Sequence, residues 1–157
     1  MTKIFVSLFL IIVLTSFNTQ TKYIEPTGTY KFNNIYKKKD GDFYGYSGDI
    51  EVKKINSEKI TMSFAVNKGA PSYNSGSFVD TLTYKDNRAI YTIQKFDPTC
   101  KIIFDFTKKG ITVKEETKDY NFGCGFGQGV VADGFYKKVS KKVPILIDLM
   151  TGEKIEK

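Results

Sequence analysis

A chain of 157 residues has the length of one domain. It contains no histidine, which removes the Ser–His–Asp and Cys–His relays and every histidine-built metal centre. The formal charge is +7, but the lysines are scattered along the chain and most aromatics stand at core-like positions, whereas a nucleic-acid site interleaves the two on one face.

Residues 1–20 read as a secretory leader. Lys3 supplies the positive head, and 4–14 is apolar except for Ser7. The run falls short of the ~20 residues that span a bilayer. Polar Thr15, Ser16, Asn18, Thr19 and Gln20 follow, so cleavage is expected between Ser16 and Gln20. No cysteine stands near residue 20 to carry a lipid anchor. The expected product is a single β domain, 21–157, secreted or periplasmic. Lys3 is the leader's only charged residue, so its loss lowers the formal charge from +7 to +6.

The rest of the chain reads as strands and turns. GTYKFNNIY (28–36) is the first expected strand, and 37–48, rich in Lys, Asp, Gly and Tyr, is irregular. GDIEVKKIN (48–56) places Ile50 and Val52 on one face, with Asn56 and Ser57 turning the chain. EKITMSFAVN (58–67) alternates: Ile60, Met62, Phe64 and Val66 face one way, and Lys59, Thr61, Ser63 and Ala65 the other, as in a half-buried strand. Residues 67–77 are the longest irregular stretch expected within the sheet. SFVDTLTYK and RAIYTIQK flank Asp86-Asn87, a hairpin connection. CKIIFDFT sets Cys100, Ile102, Phe104 and Phe106 on one face. The turn Lys108-Lys109-Gly110, with Gly110 in a left-handed position, leads into ITVKEE, where Ile111 and Val113 face inward. GFYKKV and VPILIDLM complete about eight or nine strands. The fold class is all-β, an antiparallel barrel or sandwich.

GCGFGQGV (123–130) has glycine at every second position. A dinucleotide fingerprint fails in both frames, because Gln128 or Val130 stands where the last glycine is needed. Extended geometry predicts instead that Gly123, Gly125, Gly127 and Gly129 share one bare face of a strand, open to close approach. Cys124, Phe126, Gln128 and Val130 then share the other. Cys100 and Cys124 are the only cysteines, and in an oxidising compartment they pair with each other. Asp133-Gly134 reads as a turn.

Residues 100–138 carry C-x-I-x-F-x-F, a hairpin, and then CGFGQGVVADGFYKK. This resembles small secreted bacterial domains with a C-G-F-G-x-x-V-x-A-D-G-x-Y signature, associated with lipocalin-like barrels and periplasmic lysozyme inhibitors. The resemblance covers about a quarter of the chain and implies a fold more than a function. Inhibitors of C-type lysozyme carry S-G-x-x-Y and Y-x-x-x-T-K-G. Here Ser75-Gly76 is followed by Val79 where the first Tyr stands, Ile103 replaces the second Tyr, and Lys109 replaces the Gly after Thr107-Lys108. No functional residue transfers on those motifs.

Catalysis is not expected. Glu115 and Glu116 are adjacent on a strand and face opposite ways, and Asp105 and Asp133 stand alone. Asp40-Gly-Asp42 suggests calcium, but Tyr44 occupies the position of a third acidic ligand. No metal site and no cofactor is expected. The expected function is non-catalytic binding of another secreted or envelope protein. Lys68, Tyr73 and Asn74 are the candidate binding loop, which on the lysozyme-inhibitor alternative would engage the enzyme's carboxylates. Lysozymes are mostly basic, so a +6 chain is repelled at long range. The other alternative is a carrier holding a small apolar ligand inside a barrel.

Overall fold

The computed structural model describes residues 22–147 and 151–155, and the expected leader lies outside them. Ten strands follow in chain order: β1 Gly28–Asn33, β2 Tyr36–Lys37, β3 Phe43–Tyr44, β4 Tyr46–Lys54, β5 Lys59–Lys68, β6 Ser75–Thr83, β7 Arg88–Ile93, β8 Asp97–Phe106, β9 Gly110–Glu116 and β10 Gly134–Ser140. Eight form one antiparallel sheet in the order β6-β5-β4-β1-β10-β9-β8-β7, which curls into a nearly closed barrel. β2 and β3 make a separate hairpin. No helix among the described residues is long and apolar enough to cross a membrane.

The alternation in β5 sends Ile60, Met62, Phe64 and Val66 into the interior as expected. Its second face is covered too, because Thr61 and Ser63 are buried. The strand lies between two long neighbours, with Glu51 and Lys53 on one side and Val79 and Thr81 on the other in register with Ser63 and Thr61. Asp86 and Asn87 adopt φ of 51° and 61°, the mirror-image turn that matches strand twist. Asn87 also holds the segment entering β1: its Oδ1 accepts Ile24 N at 2.7 Å and its Nδ2 donates to Lys22 O at 2.9 Å.

Three expectations are corrected. Gly110 is not left-handed; it opens β9, where a methyl group would sit 2.2 Å from Tyr136 O. The expected strand VPILIDLM does not form over 143–147, where only Leu146 is buried. β10 is already paired on both sides, by β1 and β9, so no free edge is beside it. Residues 148–150 lie outside the described residues. The irregular stretch between β5 and β6 shrinks to 69–74, and 117–133 is longer.

Aromatic side chains fill the barrel. The Phe64 ring lies 5.3 Å from Phe78, 5.7 Å from Phe104, 5.9 Å from Tyr136 and 6.0 Å from Phe126. Tyr30 and Tyr136 are fully buried, and burial pushes both hydroxyls well above their ordinary range. Each still finds a carbonyl, Pro26 O at 2.5 Å for Tyr30 and Ala132 O at 3.5 Å for Tyr136. β6 and β7 share a turn but no ladder. Their seam is bridged by Phe78 and Tyr91, stacked at 3.8 Å, while an outer groove of about 610 Å³ runs along Thr81, Thr83, Ile90 and Thr92.

Phe64→Ala removes the ring at the centre of this packing. It is expected to cost about 3–5 kcal/mol, read from urea denaturation; a loss under about 1 kcal/mol would contradict a tightly filled interior.

Candidate functional site

Antiparallel strand directions gather the longer connections at one end of the barrel: the hairpin 36–44, the loop 69–74 and the segment 117–133, beside the short β7–β8 turn. We call it the loop end. The opposite, turn end carries the tight turns at 55–58, 84–87 and 107–109.

The β2–β3 hairpin is built by Asp40, whose Oδ1 accepts Asp42 N at 3.0 Å and whose Oδ2 accepts the Tyr44 hydroxyl at 2.9 Å. Tyr36 pairs with Tyr44 across it, the rings stacked at 6.1 Å. The ammonium of Lys38 sits 3.8 Å from the Tyr44 ring centre, and that of Lys37 sits 5.6 Å from the Phe43 ring. Such contacts hold exposed rings in place. The neighbouring loop is fused to the hairpin. Gly69 N donates to Gly45 O at 2.9 Å, Ala70 N to Phe43 O at 2.6 Å, and the Tyr73 hydroxyl to Asp42 Oδ1 at 3.0 Å. Ala70–Pro71 is a cis peptide. Tyr36, Phe43 and Tyr73 remain 53%, 51% and 57% exposed, so the cluster is an aromatic surface rather than a core. Asp40 and Asp42 are spent on this scaffold, and the described residues contain no group of three or more potential metal ligands.

The three candidate loop residues divide. Tyr73 projects into solvent. Asn74 is internal to the scaffold, its Nδ2 donating to Gln128 O at 2.8 Å while its carbonyl accepts Lys68 N. The Lys68 ammonium lies over Gly129, where a methyl group would come within 2.7 Å of it. Reading 37–48 as irregular missed Phe43 and Tyr44, and reading Tyr36 as the end of the first strand missed its place in the hairpin. The Asp40-Gly41 pair between Tyr36-Lys37 and Phe43-Tyr44 was the available hairpin signal.

The glycine run is not a strand. Gly123–Gly125 forms one 3₁₀ turn, and φ is 59° at Cys124, 71° at Gly125 and 65° at Gly129. These left-handed residues break the alternation, so the four glycines share no face. Close approach does survive at three of them: Gly123 abuts Thr117, Gly127 abuts Asn74, and Gly129 abuts the Lys68 ammonium. The amides of Gly123, Phe126, Gly127, Gly129 and Val130 all donate to backbone carbonyls, so they form a folded loop rather than an anion cradle. Cys124 is bonded to Cys100, as expected. Phe126 enters the core across Gly76, which has no side chain to block the ring.

Two carboxylates brace this loop from opposite situations. Asp97 is half-buried and accepts from the Thr117 hydroxyl at 2.6 Å and from Thr99, which together hold its pKa down to about 2. Glu115 faces inward and is 2% exposed. Its Oε2 accepts Ala132 N at 2.8 Å, while Oε1 has no partner among the described residues. Burial raises its pKa, and Asp133 and Asp97 add to the effect. Asp133 in turn accepts Glu115 N at 2.6 Å. The two acids of the strand thus do face opposite ways, Glu116 pairing outside with Lys114.

The chain matches no protein-family model, no curated protein and no solved structure.

Two outcomes test this end. Replacing both cysteines by alanine is expected to lower stability by roughly 3 kcal/mol, measured by denaturation of the double variant against the oxidised protein. Glu115→Gln should change the pH profile. The folded state keeps the Glu115 proton above the ordinary value of 4.5, so the unfolded state releases it first and stability falls as pH rises from there. The melting temperature of the native protein relative to Glu115→Gln should therefore drop between pH 4 and pH 7; parallel profiles would refute a raised pKa.

Proposed function

We propose that this is a secreted, non-catalytic binding protein that engages another secreted or envelope protein through the aromatic surface of the loop end. The observation that carries this reading is the exposure of Tyr36, Phe43 and Tyr73 on a hairpin and loop locked together by backbone hydrogen bonds. Surfaces that bind proteins concentrate their energy in such fixed aromatic anchors, whose ordering entropy is already spent. The Cys100–Cys124 bond suits an oxidising compartment, in line with the leader-like sequence at 1–20.

The alternatives draw less support. A carrier needs a lumen, and here the Phe64 cluster occupies the barrel axis. A lysozyme-inhibitor role needs loop cations or polar groups to offer, yet Lys68 and Asn74 are turned toward the glycine loop.

Capture from an envelope extract at low and high salt, with the native domain and with Tyr36→Ala/Phe43→Ala, tests the proposal. The double variant should retain native stability and lose its partner, each anchor contributing about 2 kcal/mol, or roughly thirtyfold. Equal capture by both proteins, or a measurable glycosidase or protease activity, would overturn it. A C-type lysozyme assay with Tyr73→Ala as control separates the inhibitor reading.

A further inference from the structure

The scattered lysines of the sequence do not stay scattered at the turn end. Lys108 and Lys109 come from the β8–β9 turn, and Lys137, Lys138 and Lys141 from β10 and the residues after it. All five line one open concavity of about 390 Å³, together with Phe135, Val139 and Ser140 and no acidic residue. None of the five takes part in a salt bridge among the described residues. The nearby acid Glu25 is engaged elsewhere, by Lys54 and Thr27. The Lys138 ammonium donates to a backbone carbonyl, Glu25 O at 3.0 Å, and lies 5.1 Å from the Tyr30 ring centre. Burial lowers its pKa, the charge of Glu25 pulls the other way, and the adjacent Lys141 charge adds to the lowering.

Apolar side chains stand among these charges. Phe135 is 46% exposed, its ring lying across Gly110, and Val139 is 53% exposed two residues beyond Lys137. The chain continues past Lys141-Lys142 into exposed Val143 and Ile145. Lysines outside any ion pair, set around protruding apolar groups, match the chemistry of an anionic lipid surface, where ammonium groups meet headgroup phosphates and apolar tips enter the interface. Single-stranded nucleic acid asks instead for several stacking rings, and this face has one.

We infer that this lysine-rich face docks the domain peripherally on an anionic lipid bilayer. It is a second surface, separate from the aromatic end and independent of the protein partner proposed there.

Co-sedimentation with vesicles containing one third phosphatidylglycerol, compared with pure phosphatidylcholine, provides the test. Binding to the anionic vesicles only, weakened by 0.5 M salt, is expected. Lys137→Ser/Lys141→Ser should reduce the partition about 25-fold, roughly fivefold per lysine. Lys95→Ser/Lys118→Ser removes the same charge at the loop end and should leave binding within about twofold. Phe135→Ser should weaken binding several-fold, and Val139→Ser serves as a second apolar variant should loss of the ring over Gly110 disturb β9. Equal loss from both lysine pairs would overturn the inference by showing attraction to overall charge alone. Equal affinity for a soluble oligonucleotide or polyphosphate, with no effect of either apolar variant, would overturn it in favour of polyanions in solution.

Discussion

Phe64 sits where four other aromatic rings converge, and the interior it organises constrains the rest of the molecule. A barrel of eight strands has room either for side chains or for one small ligand. Here Phe64, Phe78, Phe104, Phe126 and Tyr136 take that room, with Tyr30 and Phe106 in edge contact at 6.2 Å further along. One of the rings comes from outside the strands, and another sits on the open seam. Phe126 arrives from the glycine loop, and Phe78 reaches across the seam to Tyr91. The core therefore fastens a loop and closes a gap while it fills the interior. Chemistry that involves other molecules is left to the ends and outer faces.

At the loop end, the disulfide and the core act on the same segment. Cys124 ties it covalently to β8, Phe126 anchors it in the aromatic cluster, and the Asp97 carboxylate braces Thr117 at its start. Lys68 and Asn74 then meet its glycine backbone from the neighbouring loop. The aromatic hairpin stands next to this braced loop, which explains how rings that are half exposed keep fixed positions. Glu115 is the exception to economy here: a carboxylate buried with one oxygen unpartnered raises its pKa, so the loop is seated over a group whose charge it disfavours.

Much of the barrel could be read from alternation alone. Ile60, Met62, Phe64 and Val66 announced β5, Cys100, Ile102, Phe104 and Phe106 announced β8, and Asp86-Asn87 marked a turn that only left-handed backbone can make. The cysteine pair followed from there being two. The glycine run misled because spacing of two is a necessary mark of a strand but not a sufficient one; glycine serves equally well where φ is positive, and sequence does not separate the uses. VPILIDLM misled for a topological reason, since an apolar run pairs only where an edge is open. The aromatic surface was hidden because Tyr36, Phe43, Tyr44 and Tyr73 come from two separate segments that meet only after folding. The lysine face was hidden likewise, its members lying about thirty residues apart on the β8–β9 turn and β10.

The order of strands carries a kinetic consequence. β1 lies between β4 and β10, pairing Tyr30 with Lys138 and Lys31 with Lys137. The meander β4-β5-β6 and the hairpins β7-β8-β9 can each zip locally, but the two halves join through a ladder whose partners are more than a hundred positions apart. Closing so long a loop is entropically late. Until the segment at 134–140 has been synthesised and is free to move, both half-sheets present unpaired edges, and the nascent chain depends on staying unaggregated in that interval.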